Sequence, residues 1–258
     1  MQRHTANGLV WYTFAGPGPG LLHALITRSG GVSRGPYASL NLGSTVGDDP
    51  AAVQENLRRL RATFGLSPAQ IVSPHQVHEA HVARVTRADG GLIIPATDAL
   101  ITDDPDIALL LRFADCVPVL LYDRQRHVAG LVHAGWRGVV ARVVPAAIAA
   151  LRETFGSSPH DLWAGIGPCI SAEHYQVGAE IVAAVAAAVP RDVEIAWRHN
   201  GAWHLDLAAA VQAQLQACNV DTIEASGLCT ASNLHEWYSH RAEGGHTGRF
   251  GVLVRLQP

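Results

Sequence analysis

No lysine occurs in this chain of 258 residues; all 19 cationic side chains are arginine. That absence excludes a Schiff-base lysine, a pyridoxal-phosphate lysine and the lysine of a P-loop. A phosphate would have to be held by arginine forks, backbone N–H groups or a metal. Methionine occurs once, at Met1, and no two of the 14 histidines stand two residues apart. None of the four cysteines, Cys116, Cys169, Cys218 and Cys229, forms a C-x-x-C pair, so free thiols are expected. Long apolar runs are missing too, which argues against a membrane span. Met1 to Gly16 carries no signal-peptide pattern, and a soluble, cytoplasmic protein is expected. A formal charge of −3 gives no field that would gather nucleic acid or an anionic membrane.

Apolar residues make up 48% of the chain and charged residues 16%, a balance that suits a packed core. Short apolar runs at Leu21–Thr27, Ile107–Leu111, Val117–Tyr122 and Val128–Val132 read as strands. Val117–Tyr122 and His127–Val132, joined by "DRQR", suit a β-hairpin. Four helices are predicted. "DDPAAVQENLRRLRATFG" offers Asp49 as N-cap, Pro50 in the first turn, a face of Val53, Leu57, Leu60 and Phe64, and Gly65 as the stop. "GWRGVVARVVPAAIAALRETFG" is helical from Trp136, with Pro145 kinking it or opening a second piece. "GAEIVAAVAAAV" and "HLDLAAAVQAQLQACNV" complete the set, with Cys218 late in the last as a small apolar residue. Strands and helices are interspersed without regular βαβ alternation, and no repeat or linker divides them. The reading is one α+β domain over residues 1–258, a mixed β-sheet core flanked by helices.

In "HQVHEAH" the residues His75, His78 and His81 recur at every third position. Pro74 before and "VARV" after favour a strand, on which His78 points away from the other two. Asp115 and Cys116 open a predicted core strand, carboxylate and thiol on opposite faces. His133 closes the next run, where "AGWRG" starts a helix. A thiol and an imidazole meeting there could be a Cys-His nucleophile pair or two metal ligands. "GIGPCI" is neither a dinucleotide fingerprint nor a Walker A and reads as a tight turn, although Cys169 within it is a second candidate nucleophile. Two loops rich in arginine, histidine and glycine could hold an anion. One contains Arg28, Arg34 and Asn41; the other contains His240, Arg241 and Arg249.

Taken in order, "TRSGGVSRGPYASLNLG", "VGDDPAAVQEN", "QVH", "TDALIT", "ADCVPVLLYD", "HAGWRG", "GPCI" and "YSHR…TGRFG" resemble one family across His23 to Gly251. It is the polyphenol-oxidase or laccase-domain family, regarded as metal-dependent purine nucleoside phosphorylases with adenosine deaminase activity. The resemblance implies a layered α/β/β/α sandwich. It implies that His78, Cys116 and His133 are both the metal ligands and the catalytic centre, a third strand bringing His78 to the other two. Glu79 stands where the family commonly has glycine, and Leu57 where it usually has arginine.

Two neutral imidazoles and a thiolate would leave zinc an open fourth position, which is a catalytic arrangement; copper could replace it. The implied partners are purine nucleosides and phosphate. Arg28, Asn41, Arg137, His240, Arg241 and Arg249 are the candidate substrate-binding residues. The preferred nucleoside and the oligomeric state are left open. Two other readings stand beside this one. A copper-dependent, laccase-like oxidase shares the ligand set, but the single methionine and the missing His-x-His pairs count against it. A metal-free cysteine hydrolase would use Cys116 as nucleophile, with His133 or His78 as base.

Overall fold

In a computed structural model that describes residues 1–257, the strand Ala108–Phe113 is flanked by apolar layers on both faces. Leu109, Leu111 and Phe113 enter one cluster; Ala108 and Leu110 enter another. Burial on both faces belongs to a strand inside a layered stack. This strand lies in a seven-stranded sheet ordered Gln2–Ala6, Leu9–Thr13, Leu21–Ile26, Phe250–Leu256, Ala108–Phe113, Ile71–Pro74 and Ile93–Ile94. A six-stranded sheet is ordered Thr222–Ala225, Leu162–Ile166, Val117–Asp123, Val128–Ala134, Ala99–Thr102 and Val82–Arg84. Most pairs are antiparallel, but Ile71–Pro74 runs parallel to both neighbours, as do Val82–Arg84 and Thr222–Ala225 to theirs. Three short strands, Gln176–Val177, Ala202–Leu205 and Ala196–His199, form a small antiparallel sheet.

Five helices are present among the described residues: α1 (Pro50–Phe64), α2 (Trp136–Val140), α3 (Val143–Phe155), α4 (Ala179–Ala186) and α5 (Leu207–Ala217). Three apolar clusters define the layers. Between the sheets, Leu109, Leu111, Val252 and Val254 meet Leu100, Leu120, Ala129 and Leu131. Outside the larger sheet, Ala24, Ile26, Leu110 and Leu253 pack with Leu60 of α1. Outside the smaller one, Val119, Leu121, Val132 and Ala164 pack with Val144 and Leu151 of α3 and Val211 and Leu215 of α5. The result is an α+β fold with the helix–sheet–sheet–helix layering that the resemblance implied. No helix among the described residues is long and apolar enough to cross a membrane.

The local signals explain most boundaries. Asp49 caps α1 by accepting from the Ala51 N–H, Pro50 opens it, and Gly65 ends it at φ 64°. Asp123 and Val128 pair at the foot of the expected hairpin. The second predicted helix breaks earlier than expected: α2 ends at Val140, Arg142 sits at φ 65°, and Pro145 falls in the first turn of α3. A proline there costs nothing, because first-turn N–H groups have no helical partner. His204 and Leu205 belong to a strand, since Asp206 caps α5 through the Ala209 N–H.

Asn56, fully buried on α1, knits the loop Val32–Asn41 to the helix. Its amide oxygen accepts from the Val32 N–H, and its amide nitrogen donates to Ser33 Oγ and to the carbonyls of Ser39 and Asn41. Asn56→Ala leaves several of these groups without a partner and should cost about 1–3 kcal/mol, read as a lower urea midpoint with an unchanged slope.

Candidate metal centre and its cavity

His133 is the penultimate residue of Val128–Ala134 and has the parity of Ala129 and Leu131, so it points between the sheets. Cys116 lies on the crossover from Phe113, in one sheet, to Val117, in the other. His78 approaches from the segment that follows Ile71–Pro74. The ligand-type atoms of the three side chains lie within 4.8 Å of one another, and the two imidazole centroids are 4.8 Å apart. Tetrahedral zinc bonds would set such atoms about 3.3–3.8 Å apart, so small side-chain movements suffice. The His78–Cys116–His133 group could therefore hold a metal ion.

Two findings correct the expected local structure. His78 is carried by a loop, not a strand. It has φ 64°, and the N–H groups of Val77, His78 and Glu79 converge on the Asp98 carboxylate at 3.0, 3.0 and 2.9 Å. A strand turns successive N–H groups to opposite sides and cannot do this. Asp115 and Cys116 also precede their strand, which starts at Val117. Asp115 sits at φ 85°, and its carboxylate accepts from Thr230 Oγ1 at 2.6 Å and the Arg241 N–H at 2.7 Å.

Asp98 is the residue whose role the sequence did not disclose. Fully buried, it also accepts from His133 Nδ1 at 2.8 Å. This fixes the His133 ring and leaves Nε2 free for a metal. Burial pushes the Asp98 carboxyl up, but His133 and the backbone N–H groups outweigh it and hold the group below its usual range. Burial likewise raises the Cys116 thiol, yet the charge and hydrogen bonds of His133 and His78 bring it down to about 6. Burial opposes protonation of His133, but Cys116 and Asp98 raise it to about 9. Without metal, these opposed shifts favour a Cys116 thiolate beside a protonated His133, backed by the Asp98 carboxylate.

Gly135 gives the centre room. A Cβ there would lie 2.9 Å from His78 Nδ1 and 3.0 Å from Cys116 Sγ. The glycine of "HAGWRG" thus leaves the space in which the ligands converge. Cys169 is different: it is buried in apolar surroundings and its thiol is pushed strongly up, so it is no nucleophile.

The centre opens into a cavity of about 600 Å³. Arg137, His240, Arg241 and Arg249 line it, with Asp115, and so do Gln76, Arg112 and Tyr175, which were not singled out from the sequence. Arg241 covers the Tyr175 ring at 5.0 Å and Arg137 covers Trp136 at 4.4 Å. Burial, with the Arg249 charge, lowers the pKa of His240, so it is neutral at pH 7. Arg28 and Asn41 do not line the cavity. Arg28 bonds the carbonyls of Ala38 and Leu234, pairs with Glu243 at 3.0 Å and lies over Tyr238. The Asn41 amide is engaged by Gly43, Asp48 and Arg249.

The family model described as multi-copper polyphenol oxidoreductase laccase matches residues 22–257, and the chain belongs to that family. A purine nucleoside phosphorylase of Streptomyces coelicolor is 41% identical over 230 residues, covering 89% of this chain and 93% of its own length. Purine nucleoside phosphorylase YlmD of Geobacillus stearothermophilus is 35% identical over 251 residues, with 93% and 92% covered. The crystal structure of YlmD from Geobacillus stearothermophilus superposes with a TM-score of 0.94 at 33% identity, over 99% of this chain and 98% of that one. The Bacillus licheniformis hypothetical protein YfiH gives 0.88 at 28% identity, over 98% and 97%.

Asp98→Asn keeps the shape but loses the carboxylate charge and one acceptor, and should weaken zinc affinity about tenfold to a hundredfold in a competition titration. Gly135→Ala should do the same by steric intrusion, with the fold retained by circular dichroism. In metal-free protein, alkylation of Cys116 tracks the thiolate fraction. Its rate should fall only as pH drops through about 6, with Cys169 unlabelled by mass spectrometry. A half-point at about 8.5, the unperturbed thiol value, would remove the ion pair from the account.

Proposed function

We propose that the chain is a metal-dependent purine nucleoside phosphorylase. It would split adenosine, inosine, guanosine or methylthioadenosine with phosphate, giving the free base and the corresponding sugar 1-phosphate. It would also deaminate adenosine in the same cavity. The observation that carries this reading is the convergence of His78, Cys116 and His133 on one wall of a cavity also lined by arginine. The names of the relatives point the same way.

The donor set fits zinc, with copper as the competing ion. A metal bound there would supply Lewis acidity beside the reacting oxygen. The chain's own residues do the rest. Asp98 orients His133 and the His78 loop. In phosphorolysis a phosphate oxygen bonds to C1′ as the glycosidic C–N bond breaks, and the base leaves with the electron pair and takes a proton. In deamination a water oxygen bonds to C6 of adenine and ammonia leaves. Both reactions need a positioned oxygen nucleophile and a bound purine nucleoside, so one cavity suits both. Among the earlier candidates, Arg137, His240, Arg241 and Arg249 would touch substrate; Arg28 and Asn41 would act only through the loops they hold.

The thiolate–imidazolium pair favours one second reading, a metal-free cysteine hydrolase with Cys116 as nucleophile. An oxidase gains less support: among the described residues this is the one cluster of metal-ligating side chains, where a multicopper enzyme needs several. One preparation decides between them. Protein purified without added copper should carry about one zinc per chain and release base from adenosine and inosine only when phosphate is present. Chelation should abolish turnover and zinc should restore it. Turnover that survives exhaustive chelation and dies on alkylation would select the hydrolase.

A further inference from the structure

Arg112 breaks the pattern of its own strand. Ala108, Leu110 and Arg112 share one face of Ala108–Phe113, and the first two are fully buried in the cluster under α1. Arg112 continues that apolar row, and withdrawal from water lowers its pKa to about 10. Among the described residues its guanidinium has one partner, the Leu42 carbonyl, which accepts from Nε at 2.5 Å. It makes no ion pair, and its two terminal NH₂ groups have no protein partner while the residue lines the cavity.

A second arginine stands beside it. Arg112 pairs with Gly251, two residues beyond Arg249, which places both arginines at the same end of the sheet. The turn at Leu42 and Gly43 lies between them. Arg112 holds the Leu42 carbonyl, the Arg249 carbonyl accepts from the Leu42 N–H at 3.0 Å, and a Cβ on Gly43 would come within 2.8 Å of Arg249 Cγ. The Arg249 guanidinium donates only to the carbonyls of Thr247 and Gly248 and likewise makes no ion pair among the described residues. Two fixed guanidinium groups without a carboxylate match a tetrahedral oxyanion.

We propose that Arg112 and Arg249 form an anion subsite that takes inorganic phosphate, with Arg112 presenting its free NH₂ groups as a fork. The inference rests on the phosphorolysis reading of the cavity and names its co-substrate pocket. Gln76 links this subsite to the metal ligands. Its side-chain amide accepts from the Arg112 N–H at 3.0 Å and donates to the Arg112 carbonyl at 2.9 Å, two residues before His78. The subsite and one ligand of the centre are thereby carried on one short segment.

The test uses zinc-loaded wild type, Arg112→Met and Arg112→Lys. Thermal unfolding is followed without anion, with inorganic phosphate and with adenosine 5′-monophosphate, and steady-state kinetics are run beside it. Phosphate should raise the Tm of the wild type. Arg112→Met should be at least as stable as wild type without anion, because a half-buried charge without an ion-pair partner is gone, and should lose the phosphate-induced gain. Arg112→Lys should raise KM for phosphate about tenfold to a hundredfold and leave KM for the nucleoside within about twofold. A lower Tm for Arg112→Met with an undiminished phosphate response would make Arg112 structural and overturn the subsite. Stabilisation by the nucleotide but not by inorganic phosphate would overturn the assignment of the anion. If phosphate binds through Arg112 but no nucleoside turns over, the subsite stands and phosphorolysis falls. If phosphorolysis proceeds with an unchanged phosphate KM in both variants, the subsite falls and phosphorolysis stands.

Discussion

The Asp98 carboxylate accepts from three consecutive backbone N–H groups and from His133 Nδ1 while wholly withdrawn from solvent. A buried carboxylate with fewer partners would be costly; with four it is an anchor. From it follow the conformation of the His78 loop, the tautomer of His133 and the direction of His133 Nε2. The charge balance follows as well. Asp98 and the Cys116 thiolate are two negative groups facing one imidazolium. A divalent cation would settle that imbalance and would displace the proton from His133, since proton and metal compete for one lone pair.

Several departures from the local rules of chain folding gather around this centre. His78 and Asp115 occupy left-handed backbone conformations, Arg112 replaces an apolar residue in a buried row, and Gly135 leaves a space that any side chain would fill. Each departure weakens the fold locally and is tolerated because the two sheets fix the segments on either side. In the layer outside the larger sheet, α1 by contrast follows the rules closely. α1 begins with a side-chain cap and a proline and ends on a left-handed glycine.

What was legible in the sequence follows the same division. The strands and helices with strong periodicity or clear caps appear where the pattern put them, because local preference and burial agree there. The candidate ligand trio emerged from an ordered set of motifs, since no periodicity connects His78, Cys116 and His133. The loop at His78 was read as a strand because its acceptor, Asp98, lies 20 residues away. The first hairpin, Gln2–Ala6 and Leu9–Thr13, gave no signal because its first strand is largely exposed and polar. Arg28 and Asn41 had the composition of ligand-binding residues, but their side chains are engaged in local tethering. Arg112 left one visible trace, a cation inside "ALLLRF".

The three donors come from the loop after one sheet, from the crossover and from the other sheet. Their spacing is therefore geared to the sandwich as a whole. Movement of one sheet relative to the other, across its face or along its normal, would change the distances between the donors directly. The side chains between the sheets, Leu111 and Val252 with Leu120 and Leu131, thus act as the calliper that sets the aperture of a site whose cavity they do not line.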